Sequence, residues 1–141
     1  MSLDRFCRRP LATVREIDNV FTAARTMREY HVGAVVVVDD SGAKPLGLLT
    51  DRDIMCRVVA EGANPKVIGV TSVMSRHPVV AHRDEDIDDA VRKMREAGVR
   101  RLPIVDERGT LAGFMALDDL TVLLAGEMGE TAKVLQSNRG P

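Results

Sequence analysis

The chain has 141 residues, enough for one ordinary domain or for two small ones sharing a core. Hydrophobic residues make up 45% and charged residues 29%, a balance that suits a folded protein and excludes wholesale disorder. A formal net charge of −1 excludes the basic excess by which duplex-binding proteins displace phosphate counterions, so no nucleic acid duplex is expected as a partner.

The first residues, Met1-Ser2-Leu3-Asp4-Arg5, lack the apolar stretch of a secretory signal. Arg5, Arg8 and Arg9 form a local basic cluster that reads as a solvated terminus. The longest apolar run, Ala34–Val38, is far too short to span a bilayer, so no membrane is expected. Cys7 and Cys56 offer no metal-binding spacing and read as small apolar residues. The expected location is cytoplasmic.

An amphipathic helix comes first. Ile17, Val20, Phe21, Ala24 and Met27 recur at three- and four-residue spacing. A short apolar strand, Ala34–Val38, leads through the turn Asp39-Asp40-Ser41-Gly42 into a second strand over 46–49, and a helix is predicted from Asp51 to Ala60. Residues 62–78, with two glycines and two prolines, read as a connecting stretch. The same order then returns: a helix carrying Ile87, Ala90, Val91 and Met94, a strand over 102–105, the turn Asp106-Glu107-Arg108-Gly109, a strand over 111–115 and a helix over 118–125. Asp84, Glu85 and Asp86 precede the first of these helices, where carboxylates can cap it and oppose its dipole. The strands are continuous apolar runs, so both of their faces are expected to be covered.

The two halves are a repeat. Ala23-Ala24-Arg25-Thr26-Met27-Arg28-Glu29 lies on Ala90-Val91-Arg92-Lys93-Met94-Arg95-Glu96, 67 residues further on, and Val38-Asp39 lies on Val105-Asp106. After a turn shorter by one residue in the second copy, Gly47 meets Gly113 and Asp53 meets Asp119. A unit of about 60 residues buries too little surface to be comfortable alone. Two copies packed about a pseudo-twofold axis, with sheets together and helices outside, would solve that. The expected divisions are 10–62 for the first repeat, 63–78 for a connector and entry strand, 79–126 for the second repeat, and 127–141 for a fraying C-terminal tail.

Gly47-Leu48-Leu49-Thr50-Asp51-Arg52-Asp53 resembles the signature of the cystathionine-β-synthase (CBS) domain family: glycine, two apolar residues, Thr or Ser, two variable residues, then Asp. Gly113-Phe114-Met115-Ala116-Leu117-Asp118-Asp119 matches it except at Ala116. Val73-Met74-Ser75-Arg76-His77-Pro78-Val79-Val80 is similar to the family's repeat-opening segment, and Gly98-Val99-Arg100-Arg101-Leu102-Pro103-Ile104-Val105-Asp106 to its first-strand motif. The resemblance covers residues 10–126 and is closest to the small bacterial proteins made of one CBS pair. It implies an α/β fold of two β-α-β-β-α repeats. It further implies a disc-like dimer of pairs and an adenosine-containing ligand, AMP or ATP foremost, with ADP, S-adenosylmethionine and NAD as alternatives and no metal required.

The candidate ligand-binding residues are Thr50, Asp53, Thr71, Ser72, Pro78, Val79, Arg100, Arg101 and Asp119. Thr50 falls at a helix start, where N–H groups favour an anion and its hydroxyl can donate to phosphate. Asp53 offers acceptors to both ribose hydroxyls, the role this Asp has in related pairs. Thr50-x-x-Asp53 is equally a shortened capping box, and both readings stay open. Arg100 and Arg101 bracket a strand entry where, in nucleotide-binding relatives, basic residues contact phosphate; arginine suits that task through bidentate bonds. By the family's pattern Thr71 and Ser72 are expected to serve the Asp53 site and Leu11 and Ala12 the Asp119 site, while Pro78 and Val79 offer apolar contact to adenine. The first site has a hydroxyl but no basic pair, and the second the reverse.

No catalytic constellation is visible. His31, His77 and His82 read as surface or capping residues, the acidic run from Asp84 to Asp89 reads as a solvated first turn, and there is no Gly-rich phosphate loop, zinc cluster or nucleophile elbow. The expectation is a non-enzymatic regulatory module acting on an effector protein not legible in the sequence. The alternative is a homodimeric interaction module with degenerate clefts, joined through helices 54–60 and 120–125.

Overall fold

A computed structural model describes residues 2–7, 10–125 and 130–137. Arg8 and Arg9 of the basic cluster, and residues 126–129 and 138–141 of the expected tail, lie outside the described residues. The described residues fall into two compact units: one holds 10–78 with 109–111, and the other gathers 2–7 with 79–108, 112–125 and 130–137.

In the first unit, β1 (Thr13–Arg15) runs parallel to β2 (Ala34–Val38), which pairs antiparallel with β3 (Pro45–Thr50); β4 (Ser75–Arg76) adds antiparallel to the far side of β3. Helix α1 (Val20–Tyr30) starts on Asn19, whose side chain accepts the Thr22 N–H at 2.9 Å, and stops at His31, which takes the left-handed conformation (φ 54°) that usually ends a helix. The buried face of α1 is Val20, Ala23 and Met27. Ile17 lies before the helix and is 73% exposed, and Phe21 stands at the surface under the Lys66 and Arg25 cations. The buried stripe therefore keeps Val20 and Met27 of the predicted one, with Ala23 in place of Ala24 at its centre. All five residues of β2 are buried, as expected of a central strand. In β3 burial alternates instead: Gly47 and Leu49 are buried while Leu46 and Leu48 are half-covered. Leu49 lies in the core cluster with Val20, Ala23 and Met27 of α1, and Leu46 packs at its margin.

The second unit repeats this plan with β5 (Ala81–His82) parallel to β6 (Arg101–Val105), which neighbours β7 (Leu111–Ala116). Helix α3 (Ile87–Ala97) buries Ile87, Ala90 and Met94 and ends at Gly98 with φ 67°. β7 alternates in burial as β3 does. α4 covers Leu117–Ala125, and a further helix, α5 (Glu130–Ser137), forms where the sequence suggests a fraying tail. Good helix formers in this stretch account for the difference.

The helix after the first signature departs from expectation. α2 is regular only over Asp51–Ile54, then widens into a π turn over Met55–Val59, closed by Ala60 N–H donating to the Met55 carbonyl at 2.9 Å. The wider turn puts Val58 fully in the core.

Each core is sealed by a short segment that the sequence reading does not assign to it. Residues 70–76, from a 3-10 turn (Val70–Ser72) through β4, carry Val70, Val73 and Met74 into the first core. A 3-10 turn at Leu3–Phe6 carries Leu3 into the second. These segments correspond at the same 67-residue offset, Leu3 to Val70 and Cys7 to Met74. Two isolated bridges, Asn19 with Gly69 and Ser2 with Asp86, obey it too. Burial pushes the Cys7 thiol up, as befits a packed rather than a reactive cysteine.

Candidate functional site

β3 ends at Thr50 and α2 begins one residue later, so the backbone itself delivers the signature Thr and Asp to the same place. The capping box is fully formed: the Asp53 N–H donates to Thr50 Oγ1 at 3.1 Å, and the Thr50 N–H donates to Asp53 Oδ2 at 3.0 Å. The side chain of Asp53 is only 17% exposed. The cap engages one carboxylate oxygen. The other, Oδ1, lies 3.8 Å from Arg57 Nη2, and Arg57 Nη1 donates to the Val73 carbonyl at 2.6 Å. A hydroxyl that accepts a bond keeps its own proton to donate, so Thr50 retains a donor toward a ligand.

Thr71 and Ser72 belong to the segment that Arg57 grips, so the structure brings them into the same unit as Thr50 and Asp53. A second guanidinium holds the same segment: Arg76 Nη2 donates to the Thr71 carbonyl at 2.9 Å. Arg57 and Arg76 thus both hold the segment 70–76 through guanidinium bonds to its carbonyls. Arg57 was legible as the i+4 partner of Asp53; Arg76 was not, because only the fold of residues 70–76 turns it back.

Arg100, Arg101 and Asp119 stand together in the other unit. Arg100 precedes β6 and ion-pairs with Asp118 at 3.1 Å, both side chains about 70% exposed (69% and 71%), a contact worth little in open solvent. Arg101 opens β6 and Asp119 lies in the first turn of α4; both are half-buried. The Leu117 N–H donates to the Arg100 carbonyl at 2.8 Å, as the Asp51 N–H does to the Gly33 carbonyl at 2.9 Å, so the two signature turns share one backbone design. Leu11 and Ala12 lie in the first unit. The Ala12 carbonyl accepts the Val36 N–H and Ala12 packs on the first core, while residues 3–7 take the place next to Gly113. Carrying the 67-residue offset back to Leu3 would have found this. Pro78 is half-buried in the first unit, and Val79, at the surface, begins the second.

The acidic run after His82 serves structure. Burial raises Glu85, but the Lys93 ammonium at 2.5 Å and the His82 N–H at 3.1 Å outweigh it and hold the carboxyl below its ordinary value. Lys93 also donates to the Val80 carbonyl, fastening the start of β5 to α3. Asp4 and Arg83 pair at 2.8 Å and tie the N-terminal segment to the same edge. Among the described residues no group of three metal-ligating side chains comes together, and no helix is long and apolar enough to cross a membrane.

Two repeats of one design, each with a signature Asp in the first turn of the helix after its hairpin, define a tandem-repeat α/β architecture, and sequence comparison gives it a family. The CBS domain profile matches residues 3–60 and 70–126, and the chain belongs to that family. It is 39% identical over 112 residues to the CBS domain-containing protein YhcV of Bacillus subtilis, covering 79% of this chain and 77% of that one. With the uncharacterised protein MK0525 of Methanopyrus kandleri it shares 33% identity over 120 residues, spanning 85% of this chain but only 61% of the relative's length. Among solved structures, the CBS domain protein PAE2072 of Pyrobaculum aerophilum, complexed with AMP, superposes with a TM-score of 0.78 at 22% identity, covering 88% of this chain and 96% of that one. The CBS domain pair of MJ0100, in complex with 5′-methylthioadenosine and S-adenosylmethionine, gives 0.78 at 23% identity over 90% and 98% of the two chains.

Proposed function

We propose that the chain is a non-catalytic regulatory module that binds an adenosine-containing ligand, with Thr50, Asp53, Thr71 and Ser72 as one set of contacts and Arg100, Arg101 and Asp119 as another. The observation that carries the reading is Asp53. Its carboxylate is sheltered, fixed in direction by the capping box, and shares a unit with Thr71 and Ser72, the geometry a ribose diol needs to find two acceptors in place. Proteins of the same fold crystallised with AMP and with S-adenosylmethionine support the ligand class. Pro78 and Val79 are the apolar contacts offered to the base. Ligand occupancy would shift the module's equilibrium between conformations and so its affinity for an effector protein.

Thermal-shift titration with AMP, ATP, S-adenosylmethionine and NADH tests this. A ligand at 100 times its Kd stabilises the protein by about 2.7 kcal/mol, which is easily seen. The Asp53→Asn variant keeps an acceptor for the Thr50 N–H and should lose most of the ligand shift at that site. Asp53→Ala should lose the shift and, in addition, about 1 kcal/mol of intrinsic stability with the cap. Absence of any shift at millimolar concentration, or wild-type shifts in Asp53→Asn and in Asp119→Ala, would reject the assignment.

A second reading, the homodimer, rests on exposed apolar side chains in the helices that follow the signatures: Met55 at 56%, Val59 at 66% and Leu124 at 60% exposure. Such residues are a surface a second copy of this chain could cover. Sedimentation equilibrium should return about twice the 15.4 kDa chain mass; a monomer at micromolar concentration removes this reading.

A further inference from the structure

The geometry points to Arg57 as a positioning residue: one guanidinium clasps the signature carboxylate to the segment that lines the same site, so that Asp53 and residues 70–75 are presented to a ligand as one rigid edge. The inference rests on the adenosine-binding reading above and adds to it a residue that the signature does not contain.

An Arg–Asp pair at 3.8 Å, with the Arg side chain 50% exposed, contributes little by itself. The contact that matters is the 2.6 Å bond from Nη1 to the Val73 carbonyl, a charge-assisted bond to a backbone group in a segment with little periodic structure of its own. Before β4 begins at Ser75, this segment has only the 3-10 turn Val70–Ser72, held by N–H donation from Val73 and Met74 to the Val70 carbonyl and from Ser72 to the Gly69 carbonyl. Guanidinium geometry lets one nitrogen reach Val73 while the other faces Asp53 Oδ1; a lysine ammonium, a point charge on a thinner stem, cannot span both acceptors in that fork. The π turn over Met55–Val59 carries Arg57, so the irregular helix and the clasp occur at one place.

Direct contact between Arg57 and a ligand phosphate is the competing role, and choice of ligand separates the two. Adenosine has the ribose and base but no phosphate. Titration calorimetry of wild type, Arg57→Lys and Arg57→Met with adenosine and with AMP is paired with amide hydrogen exchange of the ligand-free proteins. A clasp predicts roughly tenfold weaker binding of both ligands, to the same extent in both variants. It also predicts faster exchange at residues 70–75, with Ala34–Val38 unchanged. A loss confined to AMP, recovery of affinity in Arg57→Lys, or unchanged exchange at residues 70–75 would each overturn it. Should wild type bind neither compound, the adenosine reading falls on that result alone, and the exchange rates still decide whether the clasp exists.

Discussion

Leu3→Ala is expected to destabilise the protein by about 2–5 kcal/mol, although it changes the third residue of the chain. The side chain of Leu3 is wholly buried and packs in the cluster formed by Ala81, Ile87, Ala90, Met94, Leu102, Ile104, Met115 and Leu120. Removing three carbons there takes away their transfer free energy and leaves a void that neighbours on five secondary-structure elements cannot fill without moving. Ser2→Ala, next to it and exposed, removes only a local bond to the Asp4 N–H and should cost under about 0.5 kcal/mol. Urea unfolding of the two variants against wild type is the measurement. Equal midpoints for Leu3→Ala and Ser2→Ala would mean that the N-terminal segment is not part of the second core.

Gly113→Ala should cost about 1–3 kcal/mol or more for the complementary reason, that nothing fits there. A Cβ at this position would lie 2.5 Å from the Phe6 carbonyl oxygen and 2.9 Å from Cys7 Cα. Both are backbone atoms, so no rotamer change relieves the clash and the segment must lift. At Gly47 the counterparts are the Met74 sulfur at 2.5 Å and the Ser75 carbonyl oxygen at 2.7 Å. The thioether can swing aside, yet the carbonyl cannot, so Gly47→Ala is expected to be harmful but milder. Gly69→Ala, whose Cβ would meet nothing closer than 4.0 Å, is the neutral control. Because Gly113 and Leu3 report on one docked segment, the double variant should lose less than the sum of the two single losses. Strict additivity would show that the two positions act independently.

The resemblance to the CBS family was legible because its signature couples local chemistry to local geometry. Gly47 and Gly113 are glycines since backbone crosses over them, and Thr50 with Asp53 makes a cap whose three-residue spacing is visible in the sequence. The same cap explains why the site was legible only in part. One carboxylate can cap a helix and meet a ribose, and no spacing rule tells which; the structure shows the cap formed with Oδ1 still turned toward Arg57. Arg100, a phosphate contact by position, also ion-pairs with Asp118, a neighbour set by how β6 meets α4.

Sequence alone determined the duplication, the order of helix, hairpin and helix in each half, and the buried β2 and β6, because apolar periodicity, turn glycines and a 67-residue self-match are properties of neighbours along the chain. Tertiary structure decided which short segment closes which core. Residues 3–7 and 70–76 have no period to announce themselves and are too brief to form a stable element unaided. They gain their conformation only by filling the space above a glycine distant in the chain, and that space exists only once each sheet has folded.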